Sequence, residues 1–302
     1  MPRTISITSN ALSPDLREAA RLASQLSFDA VQLPLSVPGL SLAELSRTGQ
    51  RELVKTITSV NLAISSLATS AGRAGLMPGA DVDRALDHLE KALRTAADLA
   101  SLGQNVVLCV DLGPLPPPPA EVATPRKAVD PAALGALILP EPVAAPVAPT
   151  PAVPRDLVAE AALDGALIEL GRRADRYGVP LALRSELGAL ASIHRAMDAA
   201  RCPLFFLDLD PVAVLRDEWD LEQTLAGFAG RIAHVRARDA RKGTQSRTQP
   251  VPLGQGDARV SEVLRSLDDA HYPGPVTLDP TELPNRQQEA RSGLAYLRSQ
   301  IT

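Results

Sequence analysis

Apolar side chains along the 302-residue chain fall into two recurring patterns. Short runs rich in Val, Ile, Leu and Thr alternate with longer runs whose apolar residues return every three or four positions, the period of a helix with one buried face. The short runs read as strands at Thr4–Thr8, Ala30–Leu35, Ala63–Thr69, Asn105–Asp111, Pro180–Ser185, Leu204–Asp210, Ile232–Ala237 and Pro275–Asp279. The longer runs read as helices at Pro14–Gln25, Ser41–Val60, Ala80–Leu102, Asp156–Tyr177, Ala189–Ala200, Leu221–Ala229, Val260–Ala270 and Arg286–Ser299. Some carry end signals. Ser13 before Pro14 reads as an N-cap and first-turn pair, and Gly103 and Gly178 stand where a helix closes on a left-handed residue.

Eight strands, each followed by a helix, predict an α/β fold: a closed (β/α)8 TIM barrel formed as a single domain over residues 1–302. A doubly wound open sheet would carry a glycine-rich phosphate turn after its first strand, and Thr8 to Pro14 contains no glycine. One stretch breaks the rhythm. Residues 113–155, after strand 4, are dominated by Pro, Ala and Val, including Pro116–Pro119 and the run Glu141–Pro154. Proline at that density blocks both helix and ladder, so an extended or partly disordered insertion is expected there. Loops after strands lie on the catalytic face of a barrel, so the segment reads either as a lid, with Ala132–Leu139 as an apolar docking patch, or as a solvated spacer.

Composition narrows the function. Apolar residues reach 45% but aromatics only 3%, so the core has to be built from Ala, Leu, Val and Ile. A net charge of -4 argues against a nucleic-acid binder and leaves a small molecule as the expected partner, with a homo-oligomer open. No run is long and apolar enough for a membrane span, and the N-terminus carries no apolar leader, so a cytoplasmic location is expected. Cys109 and Cys202 are isolated, with no C-x-x-C pair, and read as buried structural thiols.

Three C-terminal segments carry a family resemblance: FFLDLDPVAVL at strand 6, GRIAHVRARDARKG at strand 7, and PLGQGDARVSEVLRSLDDAHYPGPVTLDP through strand 8. SFDAVQLP and YGVPLALRSE add to it at strands 2 and 5. Together they resemble the xylose-isomerase-like TIM-barrel superfamily, the sugar phosphate isomerases and epimerases. That resemblance implies a divalent cation held at the ends of strands 5 to 8 by Glu, Asp, His and Glu, with carboxylates moving a proton beside a carbonyl. In this chain those positions fall on Arg184, Asp210, Arg236 and Asp279. One ligand is kept, one is shortened, and two become guanidiniums, which donate hydrogen bonds and cannot coordinate.

An Arg about 5 Å from a divalent cation is repelled by about 6 to 7 kcal/mol at an effective dielectric of about 20. That is comparable with the binding free energy of a micromolar site, about 8 kcal/mol. The expectation is therefore a degenerate site with no bound metal and no other cofactor, a pseudoenzyme in which Arg184 and Arg236 pair with Asp210 and Asp279. Ala213 stands where relatives place a His three residues after the strand 6 Asp, and Gln32 where strand 2 commonly ends in an acid. Glu186 and Glu282 are alternative ligands if the register slips. His234 lies two residues before Arg236, about 6.6 Å along the strand, and reads as a hydrogen-bonded histidine inside the barrel. His88, His194 and His271 read as structural or solvated.

The run Arg236, Arg238, Arg241, Lys242 and Arg247 is either an anion-binding loop or a solvated basic one. Gly254 and Gly256 need be no more than turn residues. A small polar or anionic ligand, a sugar or organic acid, is expected to meet Arg184, Arg236, Arg238, Gln32 and His234. The competing expectation is an active sugar or sugar-phosphate isomerase or epimerase that uses Asp210 and Asp279 as acid and base, with Mn or Mg entering only in that case. Nucleic-acid cleavage lacks the His and carboxylate density of a multi-metal centre.

Overall fold

A computed structural model describes residues 3–77, 79–116, 157–185, 190–243 and 247–301. Eight parallel strands close into a barrel: β1 Ile5–Thr8, β2 Ala30–Pro34, β3 Ala63–Ser70, β4 Val107–Asp111, β5 Leu181–Arg184, β6 Phe205–Leu209, β7 Ile232–Ala237 and β8 Val276–Leu278. Closure is made by β1, where Ile7 lies level with Val31 of β2 on one side and with Leu278 of β8 on the other. Each strand falls where the apolar runs placed it.

Around the barrel pack α1 Leu16–Gln25, α2 Arg47–Thr58, α3 Val82–Ser101, α4 Leu157–Tyr177, α5 Leu190–Ala200, the short pair α6 Pro211–Arg216 and α7 Leu221–Gly227, then α8 Val260–Asp269 and α9 Arg286–Gln300. Their inner faces meet the strands through leucines and alanines: Leu89, Leu93, Leu167 and Leu170 are fully buried, as are Ala19, Ala23, Ala92, Ala96 and Ala174. Alanine on an inner face lets a helix approach the sheet closely, which is how a core poor in aromatics reaches interior packing density. Both cysteines are free and buried, as expected. Among the described residues no helix is long and apolar enough to cross a membrane.

Several local expectations change. The cap of α1 is Asp15, whose carboxylate accepts from the Glu18 amide at 2.8 Å, while the Ser13 hydroxyl accepts from the Asp15 amide at 3.1 Å. A carboxylate at this position also answers the positive end of the helix dipole. The helix expected over Ser41–Val60 begins later. Leu40–Ser41 first pairs with Ser36–Val37, Leu42–Glu44 forms a 3-10 turn, and the Ser46 hydroxyl then caps α2. A second short ribbon, Asp239–Lys242 with Thr248–Val251, follows β7. Gly103 and Gly178 take φ values of +84° and +63°, the left-handed closures expected of them. Of the proline-rich insertion only 113–116 is described. There Gly113 is left-handed, Leu115 is buried, and the Ser192 hydroxyl donates to the Pro116 carbonyl at 2.7 Å. The suggested lid and the patch Ala132–Leu139 lie outside the described residues.

Candidate functional site

Alternate residues of each strand face the barrel axis, so the chemistry of the interior is arranged in layers. The upper layer sits at the C-terminal strand ends. Asp210, one residue past β6, is the N-cap of α6: its Oδ1 accepts from the Val212 amide at 2.9 Å, with Pro211 beginning the helix. Its Oδ2 accepts from Arg238 Nε at 2.8 Å and also from Arg238 Nη2. Arg238 continues to Glu282, Nη1 to Oε1 at 3.0 Å. Across the mouth, Arg236 Nε donates to Asp279 Oδ2 at 2.6 Å, and Nη2 makes a second contact with the same oxygen. The other oxygen of Asp279 accepts from Thr281, from the amide at 3.1 Å and the hydroxyl at 2.6 Å. Burial pushes the Asp279 carboxyl up in pKa, but Arg236 and the Thr281 hydrogen bonds outweigh it and hold the group below its ordinary value. Arg236 is raised: burial opposes its charge, and Asp279, Asp210 and Asp208 outweigh burial.

The layer beneath is closed to solvent. Asp208 accepts from His234 Nδ1 at 2.6 Å and from Arg184 Nη1 at 3.1 Å. On its other side His234 Nε2 meets the Thr277 hydroxyl at 2.7 Å and the Gln32 amide at 3.2 Å, and Gln32 reaches Ser66 at 3.0 Å and Thr8 at 3.3 Å. Burial alone would keep His234 neutral. Cys109 and Asp208 beside it reverse that and lift its pKa to about 10. Asp208 is depressed: burial raises it, and His234 and Arg184 more than compensate. An imidazolium donates from both nitrogens, so the Gln32 amide has to turn its oxygen toward Nε2.

The expected pairing of Arg236 with Asp279 is present, whereas that of Arg184 with Asp210 is not. Arg184 binds Asp208, and Arg238 takes Asp210. Register explains the exchange: Leu183 lies level with Leu207, so the next residues, Arg184 and Asp208, are neighbours across the β5–β6 ladder. Gln32 and His234 sit in the lower layer, buried and bonded to protein groups. Glu186 lies outside the described residues. The basic run divides: Arg236 and Arg238 turn into the barrel, while Lys242 pairs outside with Glu218 at 2.6 Å. Asp239, the single acid within the basic run, has a structural role that the run of charges does not reveal. Its buried carboxylate accepts from the amides of Ala240, Gly254, Gly256 and Ala258 at 2.8 to 3.2 Å, fixing the loop after the ribbon. The signal was in the sequence, as an acid two residues before a run of basic ones and followed by a glycine-rich turn.

The residues present do not fit the divalent cation that the family resemblance implies at the strand ends. Two of the four positions are arginine, and the two remaining carboxylates are engaged on both oxygens. Arg184, Arg236, Arg238 and the His234 imidazolium face Asp208, Asp210, Asp279 and Glu282, with Asp111 level with Arg184 at the end of β4, so the layers carry no surplus of positive charge and stay close to neutral without an added ion. Among the described residues, Cys109, Asp208 and His234 also bring potential ligand atoms within 4.8 Å of one another. A cation there would have to displace the His234 proton and compete with Arg184 for Asp208, so this trio is better described as a satisfied core network. The open spaces beside the upper pairs are small, about 20 Å³ next to Asp279 and Glu282 and about 10 Å³ next to Arg184 and Arg216.

The fold is a closed (β/α)8 barrel whose polar side chains gather at the C-terminal strand ends and in the layer beneath them. The chain belongs to the xylose isomerase-like TIM-barrel family, whose sequence profile matches residues 20–300. Among solved structures it is similar to a xylose isomerase domain protein from Planctomyces limnophilus, with a TM-score of 0.70 at 14% identity over 99% of this chain and 98% of the other. The probable 3-DHS dehydratase AsbF of Bacillus anthracis gives a TM-score of 0.70 at 11% identity, over 98% of each chain. A D-allulose 3-epimerase from Methylomonas sp. gives 0.64 at 17% identity, over 99% of each chain. No curated protein matches the chain. At these identities the likeness is one of fold.

Proposed function

We propose that the chain is a metal-independent member of the family that binds a small polar molecule, of sugar or polyol character, at the strand ends. The observation that carries this reading is the seating of the Arg236 and Arg238 guanidiniums on Asp279 and Asp210. A divalent cation there would have to break both charge-assisted pairs and lie against the displaced arginines. The arginines and His234 are matched by the carboxylates around them, to which Asp111 at the end of β4 adds one more, and this favours a neutral ligand over a strongly anionic one, since an added phosphate or carboxylate would meet acids as well as arginines. A polyol can exchange hydroxyl hydrogen bonds with such pairs without changing the net charge. The small open volumes mean that the ligand enters by parting Arg238 from Glu282, the more exposed end of the upper layer.

Elemental analysis of the purified protein, with calorimetric titration of Mn²⁺, Co²⁺ and Mg²⁺, tests the first half. We expect substoichiometric metal and no binding heat; a stoichiometric metal lost in Asp210→Asn would overturn the reading. A thermal-shift panel of neutral sugars, polyols, sugar phosphates and sugar acids tests the second half. The alternative, isomerase or epimerase chemistry by Asp210 and Asp279, suffers from their state: each carboxylate is held by an arginine, and Asp279 is also depressed in pKa, which makes it a poor base. Deuterium exchange from solvent into a panel of ketoses would reveal it.

A further inference from the structure

A second cavity, built differently from the strand-end site, lies at the other end of the barrel. It measures about 460 Å³ and opens at the N-terminal strand ends, where Ala30, Ala63, Val107, Phe206 and Ile232 begin or nearly begin their strands. Barrels usually fill this level with bulky branched side chains. Here Ala30, Ala63, Ala229, Gly230, Ala233 and Gly274 stand along the wall, and the volume those side chains leave is the cavity. Its floor is Ser65 and Val107, two residues below Cys109 on β4, so it stops short of the polar layers and is separate from the strand-end site. The Ser65 hydroxyl is already engaged with Ser6 and the Val31 carbonyl, and the Tyr272 hydroxyl with the Pro275 carbonyl.

We propose that this cavity is a binding site for an uncharged, mainly apolar small molecule. Three observations converge on that class. The volume falls in the range of small-molecule pockets, roughly 300 to 1,000 Å³, and corresponds to about fifteen waters at the liquid value of about 30 Å³ each. No charged residue lines it, so an ion entering would lose its hydration with no counter-charge to meet. Phe206, Ile232, Ala233 and Leu225 remain partly exposed on its wall although they belong to the barrel and its inner helix layer. Covering them recovers free energy in proportion to the apolar area removed from water. With the Ser65 hydroxyl on the floor already engaged, Thr4 and Asn105 are the exposed polar residues at the mouth, so a single hydroxyl or carbonyl of the ligand is expected to stay at that rim.

The test uses N-phenyl-1-naphthylamine, an uncharged apolar fluorophore, titrated into the full-length protein at micromolar concentration. The expected result is a saturable one-to-one rise in emission, weakened at least tenfold by Ala233→Phe inside the cavity. Ala229→Trp and Ala270→Trp, at exposed positions on the rim, are expected to weaken it as well, and serve if the interior variant fails to fold. The proposal is overturned if emission rises without saturation, or if folded rim variants bind as the parent does. It is overturned equally if the probe binds only after Met1 and Pro2 are removed, which would make the chain's own N-terminus the occupant. Sedimentation showing a dimer that Ala229→Trp dissociates would assign the opening to a second copy instead.

Discussion

At the level of single residues, the strand-end site depends on which arginine each carboxylate meets. Arg236 on Asp279 is a buried pair, and removing one member leaves a charge with no partner. Arg236→Ala is expected to cost about 3 to 5 kcal/mol, read as a lower urea midpoint. Replacing the pair together, Arg236→Met with Asp279→Leu, should recover most of that loss, because no lone buried charge remains. If the single and double variants are equally destabilised, the pair is not the cause. A second prediction reverses the sequence change itself. Arg184→Glu with Arg236→His supplies the ligand types that the family resemblance implies on strands 5 and 7, and Mn²⁺ binding should appear by calorimetry. It should strengthen when Arg238→Met also frees Asp210. These residues were legible in the sequence because the family resemblance implies a site at the ends of strands 5 to 8. Their partners were not, because Asp208 and Asp210 both face inward and only the β5–β6 register decides which one Arg184 meets.

At the level of elements, the eight strands could be read from their apolar runs, whereas the connections could not. The pair Asp210 and Pro211 is a helix start, but at six residues α6 is too short to show a helical period in the apolar pattern; one side chain both caps the helix and holds Arg238. The ribbon after β7 was hidden by its charge, since the basic run from Arg236 to Arg247 reads either as an anion-binding loop or as a solvated one until the Asp239 carboxylate is seen gathering four amides. That arrangement yields a prediction. A Cβ on Gly256 would come within 2.2 Å of Asp239 Oδ1 and 2.5 Å of the Ala240 carbonyl. Gly256→Ala should therefore expel the Asp239 carboxylate and loosen Asp239–Val251, visible as faster amide exchange at Gly254 and Ala258. Unchanged exchange there would show that the loop is held by other contacts.

At the level of the whole molecule, the buried layers tie stability to pH in a defined window. Asp208 and Asp279 are depressed below the ordinary 3.8, so what they contribute is present above that value and is lost as pH falls through their folded pKa values. His234 is raised from 6.5 to about 10, so its contribution is complete below 6.5 and drains away as pH rises toward 10. Between about 4 and 6.5 all three act together, and the melting temperature should be highest there, falling on the alkaline side well before lysines or tyrosines titrate. His234→Gln keeps hydrogen-bonding groups in the layer and removes the ring that titrates. The variant should be less stable at pH 6 and lose the slope between 6.5 and 10, so that parent and variant converge in alkali. A parent whose melting temperature stays flat from 6.5 to 10 would mean that His234 is neutral when folded. Asp208 would then face Arg184 alone, and the lower layer would carry one positive charge fewer than the neutral balance on which the proposed polyol ligand rests.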